Sequence, residues 1–167
     1  DAAVCLHYLI NRLQPLPWAV RLEQAGHSMR FEADVDVHAF DAALREARLD
    51  EAFALRTGEL LAGFDDDDNE PWSGWLGFER ERLRTSRRGA ALERLAQPID
   101  AAPALVLAGA LLEADPLDEQ ALRAQLTWLV RAGQPVRARQ AWHAFVERLE
   151  QELGIAPSAD LKSFQEM

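Results

Sequence analysis

The side chains of this chain that could do chemistry are a run of carboxylates, four histidines and one thiol, and their spacing decides what each could do. Asp65, Asp66, Asp67, Asp68, Asn69 and Glu70 gather oxygen ligands of the type calcium takes. A calcium loop, however, needs alternating ligands, a Gly at its sharp turn and a distal bidentate Glu, and the run lacks that order. It reads as a solvated loop from Gly63 to Pro71, with Asp68 or Ser73 placed to cap the helix that follows. His7, His27, His38 and His143 have no second His or Cys at ligand spacing. Cys5 lies among apolar residues with no basic neighbour, which suits a core thiol better than a nucleophile. Gly74 and Gly77 stand in an aromatic stretch with no Lys-Ser/Thr after them, so no phosphate-cradling loop is present. The sequence therefore predicts no enzyme, no metal site and no cofactor.

Charge points the same way. Arg12, Arg21 and Arg30 against Asp1 and Glu23 give residues 1–31 a net of +1, so of the chain's −10 the remainder holds −11. A body that acidic repels phosphate backbones, and contact with DNA is expected only from the amino-terminal end. There Arg12, Arg21, His27 and Arg30 are the candidate DNA-binding residues. The single cysteine excludes an internal disulfide framework and fits a reducing cytoplasm. No apolar run reaches the roughly 18 residues a membrane span needs. The chain opens at Asp1 without a Met, inside a helical pattern, and a piece of a longer protein is expected.

The elements that would position these residues follow from periodicity. Ala3, Leu6, Leu9, Ile10 and Leu13 recur at helical spacing until Pro15 and Pro17. Trp18, Val20 and Leu22 then alternate with polar or small residues, and after Ala25-Gly26-His27 the alternation resumes at Met29 and Phe31, predicting a two-stranded ribbon. Val37, Phe40, Leu44 and Ala47 predict a helix to Leu49, and Asp50 is expected to cap a short helix ending at Thr57-Gly58. Ser73 is expected to open a long helix to about Ala96, with Glu79–Arg82 and Glu81–Arg84 pairs on an exposed face. On that helix Trp75, Glu79, Arg80, Arg82 and Arg84 are the candidate protein-interaction residues.

Two stretches match at an offset of 34 residues: Leu92, Leu95, Ala104, Ala108 and Leu111 fall on Leu126, Leu129, Ala138, Trp142 and Phe145. That period, with small residues where helices approach and bulky ones a turn or two later, is the signature of tetratricopeptide helix pairs. The boundaries agree. Asp115 before Pro116 is expected to cap one helix, Gly133 to end it, and Pro135 to begin the next. The buried face of that next helix reads Ala138, Trp142, Phe145, Leu149 and Leu153, with Gly154 as its end and a last helix from Pro157-Ser158 through Leu161 and Phe164.

Four motifs in order carry a resemblance: Gly58-Glu59-Leu60-Leu61-Ala62-Gly63-Phe64; Trp75 with Phe78-Glu79-Arg80-Glu81-Arg82-Leu83-Arg84; Leu112-Glu113-Ala114-Asp115-Pro116-Leu117-Asp118-Glu119; and Glu152-Leu153-Gly154-Ile155-Ala156-Pro157-Ser158. Over roughly Asp34 to Met167 the chain resembles the bacterial transcriptional activator domain, the TPR-like partner of a winged-helix DNA-binding domain in antibiotic-regulatory activators. The resemblance implies that Leu6–Leu13 is similar to the end of a recognition helix, Trp18–Phe31 to a wing, and Asp36 with Phe40 to the junction. The chain departs from the family pattern in carrying Arg12 alone in that helix and Ser28-Met29 where the family has Gly-Tyr.

The expected fold is mainly α: a TPR-like helical repeat preceded by a short helix and a β-hairpin from a winged helix. Residues 1–33 would be the carboxy-terminal part of that DNA-binding domain and 34–167 the activator domain. The implied function is transcriptional regulation in the cytoplasm. Expected partners are DNA through the amino-terminal part, in a form of the protein extended upstream to a whole winged helix, RNA polymerase or another regulator domain, and a second copy in a homodimer, with no membrane. The competing reading is a protein–protein scaffold of a signalling regulator that does not bind DNA itself.

Overall fold

The computed structural model describes residues 2–13, 15–17, 22–25, 28–31, 34–55, 58–66, 68–162 and 164. Helix α1 (Ala2–Leu13) is followed by β1 (Leu22–Ala25) and β2 (Ser28–Phe31), which pair antiparallel with Leu22 opposite Phe31 and Ala25 opposite Ser28. Helices α2 (Asp36–Arg45), α3 (Leu49–Leu55), α4 (Glu70–Ala96), α5 (Ala101–Ala114), α6 (Glu119–Arg131), α7 (Pro135–Leu153) and α8 (Ala159–Lys162) complete a mainly helical chain.

The 34-residue frame is visible as two successive helix pairs, α4 with α5 and α6 with α7. Leu95 and Leu129 are buried at matching places in the first helices, and Ala104 and Ala138 in the second. At the next turn Ala108 and Trp142 occupy equivalent positions, both buried, a small residue in one pair and an indole in the other. Leu95, Ala104, Ala108 and Trp128 form one core between the pairs. A second, built from Leu122, Leu126, Leu129, Ala138, Trp142, Phe145, Leu149 and Leu161, closes α6, α7 and α8. A third joins Phe40 and Ala43 of α2, Ala52 of α3 and Leu83 of α4. The 27-residue α4 thus spans two cores, packing its middle on α2 and α3 and its end on α5 and α6.

Several boundaries differ from expectation, each for a local reason. Helix α2 stops at Arg45 instead of reaching Leu49, because Ala47 turns left-handed at φ 55°. The Ala47 N–H then donates to Leu44 O and the Arg48 N–H to Ala43 O, which satisfies the last carbonyls in a Schellman pattern. Asp50 consequently lies inside the first turn of α3 and caps nothing there; Thr57 lies outside the described residues. Helix α4 begins at Glu70, three residues before Ser73, and its cap is Asn69, whose side chain accepts from the Trp72 N–H at 3.3 Å. Ser73 instead donates through Oγ to Asp66 O. Asp115 does not cap α6: it folds Pro116 and Leu117 into an Asx turn by accepting from the Leu117 N–H, and Asp118 caps the helix. Leu153 is exposed, not part of the buried face of α7, because Gly154 at φ 65° ends the helix immediately after it. The last helix is shorter than expected and leaves Phe164 beyond its end, packed on the α6–α7 core.

Candidate partner-binding and nucleic-acid surfaces

The charged stripe of α4 makes the two helical pairs its spacing dictates, with Arg82 Nε 2.8 Å from Glu79 and Arg84 Nη1 2.8 Å from Glu81. Each arginine also reaches another element. Arg82 lays both terminal nitrogens on the two oxygens of Asp41 in α2, each at 3.2 Å. Arg84 bonds Glu59 at 2.9 Å. Arg80, mostly buried, donates to the carbonyls of Leu60 and Leu61 and to Asp65 at 2.6 Å. The stripe therefore fastens α2 and the 58–66 turn onto α4, with the bond to Asp41 and then that to Glu79 holding the Arg82 guanidinium firmly protonated. Periodicity reveals the pairs three residues apart. It cannot reveal partners 15 to 41 residues away, which only the tertiary fold brings near.

Trp75, the fifth candidate on α4, is directed otherwise. Its ring packs 5.2 Å from that of Trp72, and about half of it faces solvent. Trp72 in turn donates its indole N–H to Phe64 O, and Phe78 stands one turn beyond Trp75. Trp72, Phe64 and Phe78 were not among the sequence candidates, although Trp-x-x-Trp-x-x-Phe on a helix carries the signal of a continuous aromatic row.

Farther along α4, Arg88 binds Asp118 through Nε at 2.5 Å and Nη2 at 2.8 Å. Burial pushes the Asp118 carboxyl up, but the Arg88 bond and the N–H groups of Ala121 and Gln120 outweigh it and hold the group below its ordinary value. This pair floors one end of an open groove of about 700 Å³ between α4 and α5, lined also by Arg84, Arg87, Leu107 and Leu111.

Of the candidate DNA-binding residues, Arg12 is exposed on α1 and Arg30 is exposed on β2 opposite Glu23. Arg21 and His27 lie outside the described residues. Among the described residues no group of His, Cys, Asp or Glu is arranged to hold a metal ion, and no helix is long and apolar enough to cross a membrane.

Comparison with known proteins places this arrangement. A family model described as bacterial transcriptional activator domain matches residues 27–167. No curated relative matches the chain. Among solved structures, Mycobacterium tuberculosis EmbR in complex with a low affinity phosphopeptide is similar at a TM-score of 0.61 and 20% identity, over 99% of this chain and 49% of that one. At that identity the likeness is one of fold, and this chain spans about half the length of EmbR.

Proposed function

We propose, from the premise that this chain belongs to the bacterial transcriptional activator domain family, that it regulates transcription by joining a DNA-contacting amino-terminal part to a helical body that recruits protein. The family is one of transcriptional activator domains and not a class of enzymes. The observation that carries the reading is the match over residues 27–167, which begins within a helix-and-hairpin segment and runs through both helix pairs. In this reading residues 1–33 are the end of a winged helix: α1 is the end of its recognition helix and β1–β2 its wing, and Arg12, Arg21, His27 and Arg30 contact phosphates. The body contacts RNA polymerase, another regulator domain or a second copy through α4, with Trp75 as the exposed contact and Glu79, Arg80, Arg82 and Arg84 fastening the surface around it. The site of action is the cytoplasm.

A second reading is favoured by one specific observation. The net of −11 held by residues 32–167 opposes any approach to DNA, as expected of a scaffold that only binds proteins. Anisotropy titration of the chain against promoter and scrambled duplexes separates the two. Binding that falls with Arg12→Ala and Arg30→Ala supports the first, and no binding even at low salt supports the scaffold.

A further inference from the structure

The aromatic row on α4 leaves large apolar side chains open on the described surface. Trp72, Trp75 and Phe78 follow one another at three-residue spacing, so they climb the helix on adjacent turns. Trp75 is 48% exposed and Phe78 67%. Phe64, 66% exposed, is held near the start of the row because its carbonyl accepts from the Trp72 indole. The backbone beneath is fixed by the Arg80 bonds to Leu60 and Leu61 and by the Ser73 bond to Asp66 O. Large apolar side chains presented on a fixed platform are the form of a contact surface, since burying them against a partner is favourable and ordering them costs little.

The charges around the row select the partner. Asp66, Asp68 and Glu70 at its amino-terminal end are exposed and make no ion pair among the described residues. On the flank toward α2, Asp41 and Glu79 share the one guanidinium of Arg82. The rim is thus negative around a π-rich centre, a surface that suits guanidinium or ammonium groups carried on apolar stems.

We propose that this face docks a basic amphipathic helix of a partner protein. Its apolar residues would cover Phe64, Trp75 and Phe78, and its Arg or Lys side chains would stack on the indoles and meet Asp66, Asp68 and Glu70. The inference rests on the reading of the helical body as the protein-recruiting part and narrows the partner to one chemistry.

Labelled helical peptides titrated against the chain test it. One carries Leu on one face and Arg on the other, a second carries Leu with Glu, and a third carries Arg with Ser in place of Leu. The Leu/Arg peptide should bind well ahead of the other two. Joint Trp75→Ser and Phe78→Ser substitution should weaken it about tenfold or more. Joint Asp66→Asn, Asp68→Asn and Glu70→Gln substitution should weaken it several-fold and flatten its salt dependence. Phe78→Ser alone, at a position already facing water, keeps the test valid if the double variant melts early, and Val106→Ser on α5 should change nothing. Equal binding of the Leu/Glu or Ser/Arg peptide, or indifference to loss of the aromatics, overturns the proposal. Because the duplex titration reads arginines on α1 and β2, failure here leaves the transcriptional reading standing, and failure there leaves this one standing.

Discussion

Asp118 shows how much one residue can hold when burial and charge meet. Its carboxylate caps α6 by accepting from the Gln120 and Ala121 N–H groups at 3.0 and 3.1 Å, and it binds Arg88 across from α4. A carboxylate so buried depends on these donors, since an ion removed from water with no partner is costly. Arg88→Ala should therefore destabilise the chain by about 2–3 kcal/mol, below the range for a fully buried pair because the Arg88 side chain is 43% exposed. Asp118→Asn keeps an oxygen for the cap and should cost less, about 1–2 kcal/mol. The Asp118 carboxyl is lowered in the folded state, so its contribution is complete above the unfolded value of about 3.9 and is lost as pH falls through the folded value. Urea melts of the parent and Arg88→Ala should thus differ most near neutrality and converge in acid; an undiminished gap in acid would show that the pair acts by packing alone. None of this was legible in the sequence. Asp115 and Asp118 both look like caps before an apolar run, and the Arg88 partner 30 residues away decides between them.

Two of the helix ends carry the same backbone device with different residues, which explains why one was foreseen and the other not. After α6 the Gly133 N–H donates to Val130 O and the Gln134 N–H to Leu129 O, with Gly133 at φ 70°. After α2 the same two bonds surround Ala47 at φ 55°. Glycine announces a left-handed residue, whereas alanine there reads as one more helical position and extended the expected helix to Leu49. Because the β-carbon crowds the left-handed region, Ala47→Gly should stabilise the chain by about 0.5–1 kcal/mol, and Gly133→Ala should destabilise it by about 1 kcal/mol. Opposite shifts in melting temperature check both, and a fall for Ala47→Gly would mean that flexibility gained in the unfolded chain outweighs relief of strain. The repeat itself was legible because its signal is a period. Trp142, at the site where the other pair has Ala108, is 5% exposed, so Trp142→Ala should open a cavity costing about 3 kcal/mol or more. The exposed Gln140 on the same helix should tolerate Ala within about 0.5 kcal/mol. Comparable melts for the two would separate the sequence period from the packing it predicts.

Across the whole molecule, charge is unevenly divided between its ends. The helical body was readable in outline from periodicity and terminators, but its outward face was not. The stripe expected to greet a partner is largely spent on holding α2 and the 58–66 turn to α4, whereas the aromatic row beside it stays exposed. In the proposed reading the amino-terminal part would meet DNA against the field of a body carrying −11, with Arg12, Arg21 and Arg30 as its cations. At most about three phosphates can then be neutralised, so the logarithm of the affinity should fall with the logarithm of salt at a slope of about −3 or shallower. Affinity near physiological ionic strength should be weak, and promoter and scrambled duplexes should differ little, because phosphate contacts position a protein without reading sequence. Arg12→Ala and Arg30→Ala should each lower the slope by about one on both duplexes, while Arg137→Ala on α7 should leave it unchanged. Anisotropy titrations over a salt series measure all of these. A markedly steeper slope, or one insensitive to Arg12 and Arg30, would move the DNA contact onto the helical body and would require the negative field there to be overcome by a surface not yet assigned to it.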